Sequence, residues 1–172
     1  ISNWIPVYTE KTYGTDKRNG GVEMDINDII QPNLIVMDLV SSEKEDVIKE
    51  LISVLTKYDH VTDADAMFEA VMKRESEFST GIDNGIAIPH AKSKYVEKPV
   101  IAFGRSKAGI KWSNDDGEDL IVNLIFLIAV PLESYNQHLR ILAQISRKLT
   151  HKSVRDSLLK ASTAQEVMDA LK

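Results

Sequence analysis

The sequence predicts an α/β fold: a single domain with a mixed central sheet covered by helices on both faces. Short apolar runs alternate along the chain with stretches whose apolar residues recur every three or four positions, the pattern of strands interleaved with amphipathic helices. The longest apolar run, residues 121–130, is apolar on both faces except at Asn123, so it needs cover from both sides. The size agrees: 172 residues, 43% hydrophobic and 27% charged, suit one globular domain with a full core.

Composition removes several functions. The net charge is -5 with no block of like charges, whereas nucleic-acid binding usually needs a basic face. The chain has no Cys, which excludes disulfides, thiolate catalysis and zinc–sulfur sites. The apolar run is too short for a bilayer, which takes about 20 residues. No signal-peptide pattern is present, so a cytoplasmic location is expected. The chain starts at Ile1 rather than Met, which suggests a piece of something longer.

Taken in order, residues 1–23 read as a linker or N-terminal tail, polar and turn-rich after Trp4-Ile5-Pro6-Val7-Tyr8. Residues 24–172 form the domain. A first strand is expected at 34–39. Ser42 with Glu45 reads as a capping box opening a helix, with Val47, Ile48, Leu51, Ile52, Leu55 and Tyr58 on its buried face. Thr62 or Asp63 starts a second helix, with Met67, Phe68, Val71 and Met72 inward, ending near Arg74-Glu75. Further on come a strand at 99–104, a short edge strand at 109–112, a turn at 113–117, and the central strand stopped by Pro131. Ser134 with Gln137 reads as another capping box, opening a helix with Leu139, Leu142, Ile145 and Leu149 inward and His138 in its first turn. Ser153 with Asp156, and Thr163 with Glu166, open two last helices. His60 and His151 fall in turns and carry no chemistry.

The candidate site lies in residues 79–91. Asp83-Asn84-Gly85 is turn chemistry, with Gly85 able to take positive φ. Ile86-Ala87-Ile88 is a short strand. Pro89 fixes its own φ and biases Ile88 toward an extended conformation. His90 therefore follows a stiff strand end, where its ring can be aimed. An aimed imidazole suits a nucleophile, a general base or a metal ligand, although such a His is more often a capping or surface residue.

Arg74-Glu75, Ser79-Thr80-Gly81 and Gly85-Ile86-Ala87-Ile88-Pro89-His90-Ala91 together resemble the active-site signature of the fructose/mannitol family of enzyme IIA domains. These are components of the bacterial phosphoenolpyruvate-dependent sugar phosphotransferase system. The resemblance runs from about Met24 to Lys172. It implies a mostly parallel sheet flanked by helices, with His90 at a strand's C-terminal end, where open α/β sheets hold ligands. It also implies that His90 carries the phosphoryl group and that Arg74, 16 residues earlier, helps to hold it. His138, 48 residues beyond His90 in a Gln-His-Leu context, matches the family's second active-site His.

The residues permit that chemistry. Neutral imidazole is a good nucleophile near pH 7. Phosphoryl transfer then asks for alignment and for donors around the equatorial oxygens. Arg74 supplies a planar fork, though a helix-ending cation facing the macrodipole is an ordinary structural device. Thr80 supplies a hydroxyl. His138 supplies a ring N–H beside a helix N-terminus, whose positive end is expected to keep that ring neutral.

Three functions compete. The first is a phosphoryl carrier, a phosphotransferase that accepts phosphate from the HPr phosphocarrier protein and passes it to an enzyme IIB domain. A membrane IIC domain, fused or associated, is expected to complete that system, and no direct nucleic-acid contact is expected. The second is a regulatory relative of the nitrogen type, whose phosphorylation state controls another protein. The third, a metal-dependent hydrolase, is weak: no His-x-His or His-Glu-x-x-His spacing exists. No metal and no cofactor are expected. Residues 123–131 and 137–142 resemble the fructose-type branch more than the nitrogen branch, which favours the carrier. The resemblance implies that specificity for the sugar belongs to the membrane domain.

Overall fold

The computed structural model describes residues 25–113, 117–134 and 136–172. The expected tail at 1–23 lies outside the described residues, as do Met24 and residues 114–116 of the expected turn. The described part is a six-stranded mixed sheet with helices on both faces.

The chain enters through a 3-10 turn, Ile26–Asp28, which Asp25 caps by accepting the Asn27 N–H. A second 3-10 turn, Pro32–Leu34, follows, and the first strand β1 is only Ile35–Val36. The strand expected at 34–39 is thus shortened. Pro32 sits at the start of the 3-10 turn, and that turn takes Leu34 out of the ladder.

Helix α1, Lys44–Lys57, begins at Glu43 without a side-chain cap, so the Ser42/Glu45 box does not form. The N–H groups of Val40 and Ser41 go instead to the Glu50 carboxylate, at 3.2 and 2.9 Å. Val47, Ile48, Leu51, Ile52 and Leu55 are its buried stripe, as the periodicity predicts, while Tyr58 is exposed at its end. Asp59 in the left-handed region (φ 63) and His60, whose N–H reaches the Leu55 carbonyl, close the helix. Helix α2, Ala64–Glu77, is capped by Asp63, which accepts the Ala66 N–H at 3.0 Å. Its buried stripe is Met67, Val71 and, one turn on, Glu75.

Strands β2 (Gly81–Ile82) and β3 (Ile86–Ala87) pair as a tight hairpin, and β4 is His90–Ser93. Strands β5 (Val100–Ser113) and β6 (Asp119–Pro131) form a long antiparallel pair. The stretches expected as separate strands at 99–104 and 109–112 are one strand, irregular between Arg105 and Ile110. Opposite that irregularity, the N–H groups of Asn123 and Leu124 both reach the Gly85 carbonyl, at 2.8 and 3.0 Å. The alternation of β6 slips there: Val122 faces one core, whereas Leu124, Phe126, Ile128 and Val130 face the other. Asn123, the polar exception in the central strand, marks this bulge, and its amide donates to the Ser106 carbonyl at 2.9 Å.

The sheet runs β1-β5-β6-β3-β2, with β4 also on β6. Pairings β1–β5, β3–β6 and β4–β6 are parallel; β5–β6 and β2–β3 are antiparallel. Helices α1 and α2 cover one face. The other is covered by α3 (Gln137–Leu149), α4 (Lys152–Lys160) and α5 (Ala164–Ala170).

Two of the three capping boxes expected in this half are absent. Asn136 (φ 60), not Ser134, precedes α3, and the Ser134 hydroxyl donates back to the Pro131 carbonyl at 2.7 Å. His151 precedes α4, leaving Ser153 inside the helix, and Asp156 pairs with Lys152. Thr163 does cap α5, accepting the Glu166 N–H. Along α3 the buried residues are Ile141, Leu142, Ile145 and Leu149, with Leu139 only half-buried.

Candidate active site

The site begins at the β2–β3 turn. Gly85 takes the positive φ expected of it (φ 76), and Asn84 before it is left-handed as well (φ 70). Strand β3 then joins β6 through Ile86 and Ala87. Pro89 has no N–H to add to the ladder, but its carbonyl accepts the Ile128 N–H at 2.9 Å. Pairing resumes at once, His90 opposite Ile128. His90 therefore opens β4 within the sheet instead of lying beyond the last residue of a strand. Pro89 interrupts the strand without ending it, because one lost donor is flanked by intact pairs.

His90 is buried, 6% exposed, with Nδ1 at 3.0 Å from the Ile88 carbonyl. A carbonyl only accepts, so Nδ1 carries the proton and Nε2 holds the lone pair. Burial lowers the pKa of this ring to about 4; the Ile88 bond opposes the shift, Arg74 and His138 add to it, and Glu75 opposes it. At pH 7 the ring is neutral and nucleophilic at Nε2.

His138 is the second residue of α3, in its first turn. Its ring lies stacked beside that of His90, with centroids 6.2 Å apart and planes 28° apart. Its Nδ1 is buried with no hydrogen-bond partner among the described residues. Its pKa is lowered, first by burial and then by Lys92 and Arg74. The direction is the one expected, but the leading cause is burial and not the helix end.

Arg74 is in the last turn of α2, half-buried, and donates to the Phe78 carbonyl at 2.8 Å. Its positive charge depresses the proton affinity of both imidazoles. Thr80 differs from its expected place. It is fully buried, and its hydroxyl donates to Glu75 Oε2 at 2.5 Å. That proton is engaged by a carboxylate, so Thr80 is not placed as a phosphoryl donor here. Its main chain is tied to the same carboxylate and to Ile88.

Sequence reasoning passed over Glu75 as a buried group. The signal was present: Glu75 continues the Met67, Val71 stripe at a spacing of four. No group of three His, Asp or Glu able to hold a metal exists among the described residues. His60 and His151 stand at helix boundaries.

The sequence model for "Phosphoenolpyruvate-dependent sugar phosphotransferase system, EIIA 2" matches residues 28–172. The chain belongs to this EIIA family. It is 41% identical over 151 residues to the PTS system fructose-specific EIIA component of Haloferax volcanii, covering 86% of this chain and 97% of that protein. It is 40% identical over 148 residues to the PTS system fructose-specific EIIABC component of Bacillus subtilis, covering 86% of this chain but 23% of that longer protein. Among solved structures, the nitrogen regulatory protein IIA-Ntr of Neisseria meningitidis superposes with a TM-score of 0.76 at 31% identity, covering 86% of this chain and 99% of that one. IIA mannitol of Escherichia coli shares the fold, with a TM-score of 0.70 at 23% identity over 83% of this chain and 98% of that one. An EIIA component is a phosphotransferase part, so the paired imidazoles of this EIIA domain belong to a family whose work is phosphoryl transfer.

Proposed function

We propose that this EIIA domain accepts a phosphoryl group from phospho-HPr on His90 Nε2 and passes it to an enzyme IIB domain, in a sugar-uptake system of the fructose type. The observation that carries the reading is the His90–Ile88 bond, which leaves a buried, neutral ring with its lone pair on Nε2. In the accepting step the Nε2–P bond forms as the P–N bond to the donor imidazole breaks, and that imidazole departs with the bonding electrons. Positive charge develops on the His90 ring as the bond forms. The Ile88 carbonyl, already holding Nδ1–H, stabilises it. The second transfer reverses these roles.

Arg74 and the His138 N–H stabilise the transferring oxygens, with the N-terminus of α3 adding a favourable field. Thr80 contributes by fixing its loop. The domain needs no metal or cofactor for these steps. It works in the cytoplasm as residues 24–172, with 1–23 as a linker or tail, and supplies a membrane IIC domain through IIB. No helix of the described residues is long and apolar enough to cross a membrane. The fructose assignment is supported by the Haloferax relative, which the chain matches over 97% of its length.

Incubation with phosphoenolpyruvate, enzyme I and HPr tests the proposal. The label should be acid-labile and base-stable, map to His90 and be absent in His90→Gln. Label on Ser, Thr or another His overturns it. The likeness to IIA-Ntr supports a second reading, a regulatory module with the same site. Transfer of the label to a fructose-type IIB domain favours the carrier; a stable phospho-form that no IIB discharges favours the regulator.

A further inference from the structure

Glu75 takes no part in the transfer just described, yet it is among the most densely bonded side chains in the domain. Its Oε1 accepts the Thr80 N–H at 2.9 Å and the Trp112 indole N–H at 2.9 Å, and pairs with Lys44 Nζ at 2.8 Å. Its Oε2 accepts the Thr80 hydroxyl at 2.5 Å. The donors come from α1, β5 and the loop after α2 itself. Lys44 also lies over the Trp112 ring, 5.0 Å from its centroid. A buried ion pair of this kind is often no more stabilising than apolar residues of the same volume. Stability alone therefore does not account for it, and the bonds lead somewhere specific.

Thr80 is gripped at both N–H and hydroxyl, which fixes its peptide. Its carbonyl accepts the Ile88 N–H at 3.0 Å. The Ile88 carbonyl is in turn the acceptor for His90 Nδ1. We infer that Glu75 is a positioning residue for His90: it holds Thr80, Thr80 holds Ile88, and Ile88 keeps the ring in the Nδ1–H form with Nε2 as the nucleophile. The inference rests on the reading of His90 as the phosphorylated residue. Glu75 itself touches no reacting atom.

Glu75→Gln and Thr80→Val test it. Gln keeps the volume and can still accept from Trp112 and from the Thr80 N–H, but its NH2 in place of Oε2 cannot accept the Thr80 hydroxyl proton, so half of the grip on Thr80 is lost along with the charge. Val keeps the shape of Thr80 and loses the hydroxyl. Three quantities are measured for each: urea stability, the ¹⁵N shifts of the His90 ring nitrogens, and the single-turnover rate of phosphoryl acceptance from phospho-HPr. In wild type the shifts should report protonated Nδ1 and unprotonated Nε2. In both variants they should move toward a mixture of tautomers, with acceptance slowed about tenfold, the scale expected when a reacting group is slightly misplaced. Thr80→Ser, which restores the hydroxyl, should recover both. Should Glu75→Gln fail to fold because Lys44 is left unpaired, the Glu75→Gln/Lys44→Met pair carries the same measurement without a stranded charge.

Folded variants with wild-type ring shifts and wild-type rates overturn the inference and leave Glu75 as a structural anchor. If wild type is not labelled on His90, the reading of that residue falls instead. The ring shifts then still decide whether Glu75 orients the imidazole.

Discussion

Two stacked imidazoles, both with lowered proton affinity, stay neutral together at pH 7. A neutral His138 has one N–H to give, and its buried Nδ1 has no partner among the described residues. On the proposed reading, a phosphoryl group on His90, whose ring lies beside that of His138, would be an acceptor for that N–H. His138→Ala should therefore still accept phosphate on His90 but pass it to IIB roughly tenfold or more slowly, the scale of losing one preorganised donor. His138→Gln, which keeps an N–H, should recover part of the rate in rapid-quench measurements. Arg74→Lys keeps the charge and loses the fork, so transfer should slow by about tenfold with thermal unfolding near wild type. A variant that mainly loses stability would reduce Arg74 to the anchor of the Phe78 carbonyl. At this scale the candidates were legible because Pro-His and Gln-His-Leu are local patterns. The engagement of Thr80 by Glu75 was not, since it depends on how α2 meets the following loop.

Among the elements, α4 depends on a residue from the sheet. Arg105, 3% exposed in β5, donates to the carbonyls of Leu158, Leu159 and Ala161 at the C-terminal end of α4, at 3.1, 3.3 and 2.6 Å. Its Nε donates to the Met37 carbonyl at 3.1 Å, tying in the segment after β1. A guanidinium answers the unpaired carbonyls and the negative end of the helix together. Arg105→Met should lower the unfolding free energy by about 3 kcal/mol in urea titrations, because it strands buried acceptors. Phosphorylation of the folded fraction at His90 should persist. Nothing in the sequence marks this cap: Arg105 stands between a strand and a polar stretch, and its partners lie more than fifty residues later.

For the molecule as a whole, the buried imidazole makes stability depend on pH. His90 titrates near 6.5 when unfolded and at about 4 when folded. Between these values the unfolded chain binds the extra proton, so stability is fully present above 6.5 and is lost as pH falls toward about 4. The shift corresponds to about 3 kcal/mol in total. His138 shifts in the same direction and adds to the loss. Urea unfolding between pH 7 and 4.5 should show wild type weakening more steeply than His90→Gln. Parallel curves would mean that burial of His90 is not felt by the fold.

The sequence by itself determined the α/β class, the buried stripe of α1, Met67 and Val71 on the inner face of α2, the turn with positive φ at Gly85 and the Thr163 cap. All of these rest on contacts within a few residues or on periodicity along one element. It also marked His90, Arg74 and His138. Tertiary structure decided the rest. Whether Ser42, Ser134 or Ser153 caps a helix depended on rival partners such as Glu50 and the Pro131 carbonyl. Whether Pro89 ended a strand depended on β6 lying alongside to resume the ladder at Ile128. The depression of His90 toward pH 4 required burial, first of all, and then charges from α2 and α3. Desolvation and long-range hydrogen bonds are properties of assembled elements, and no local pattern encodes them.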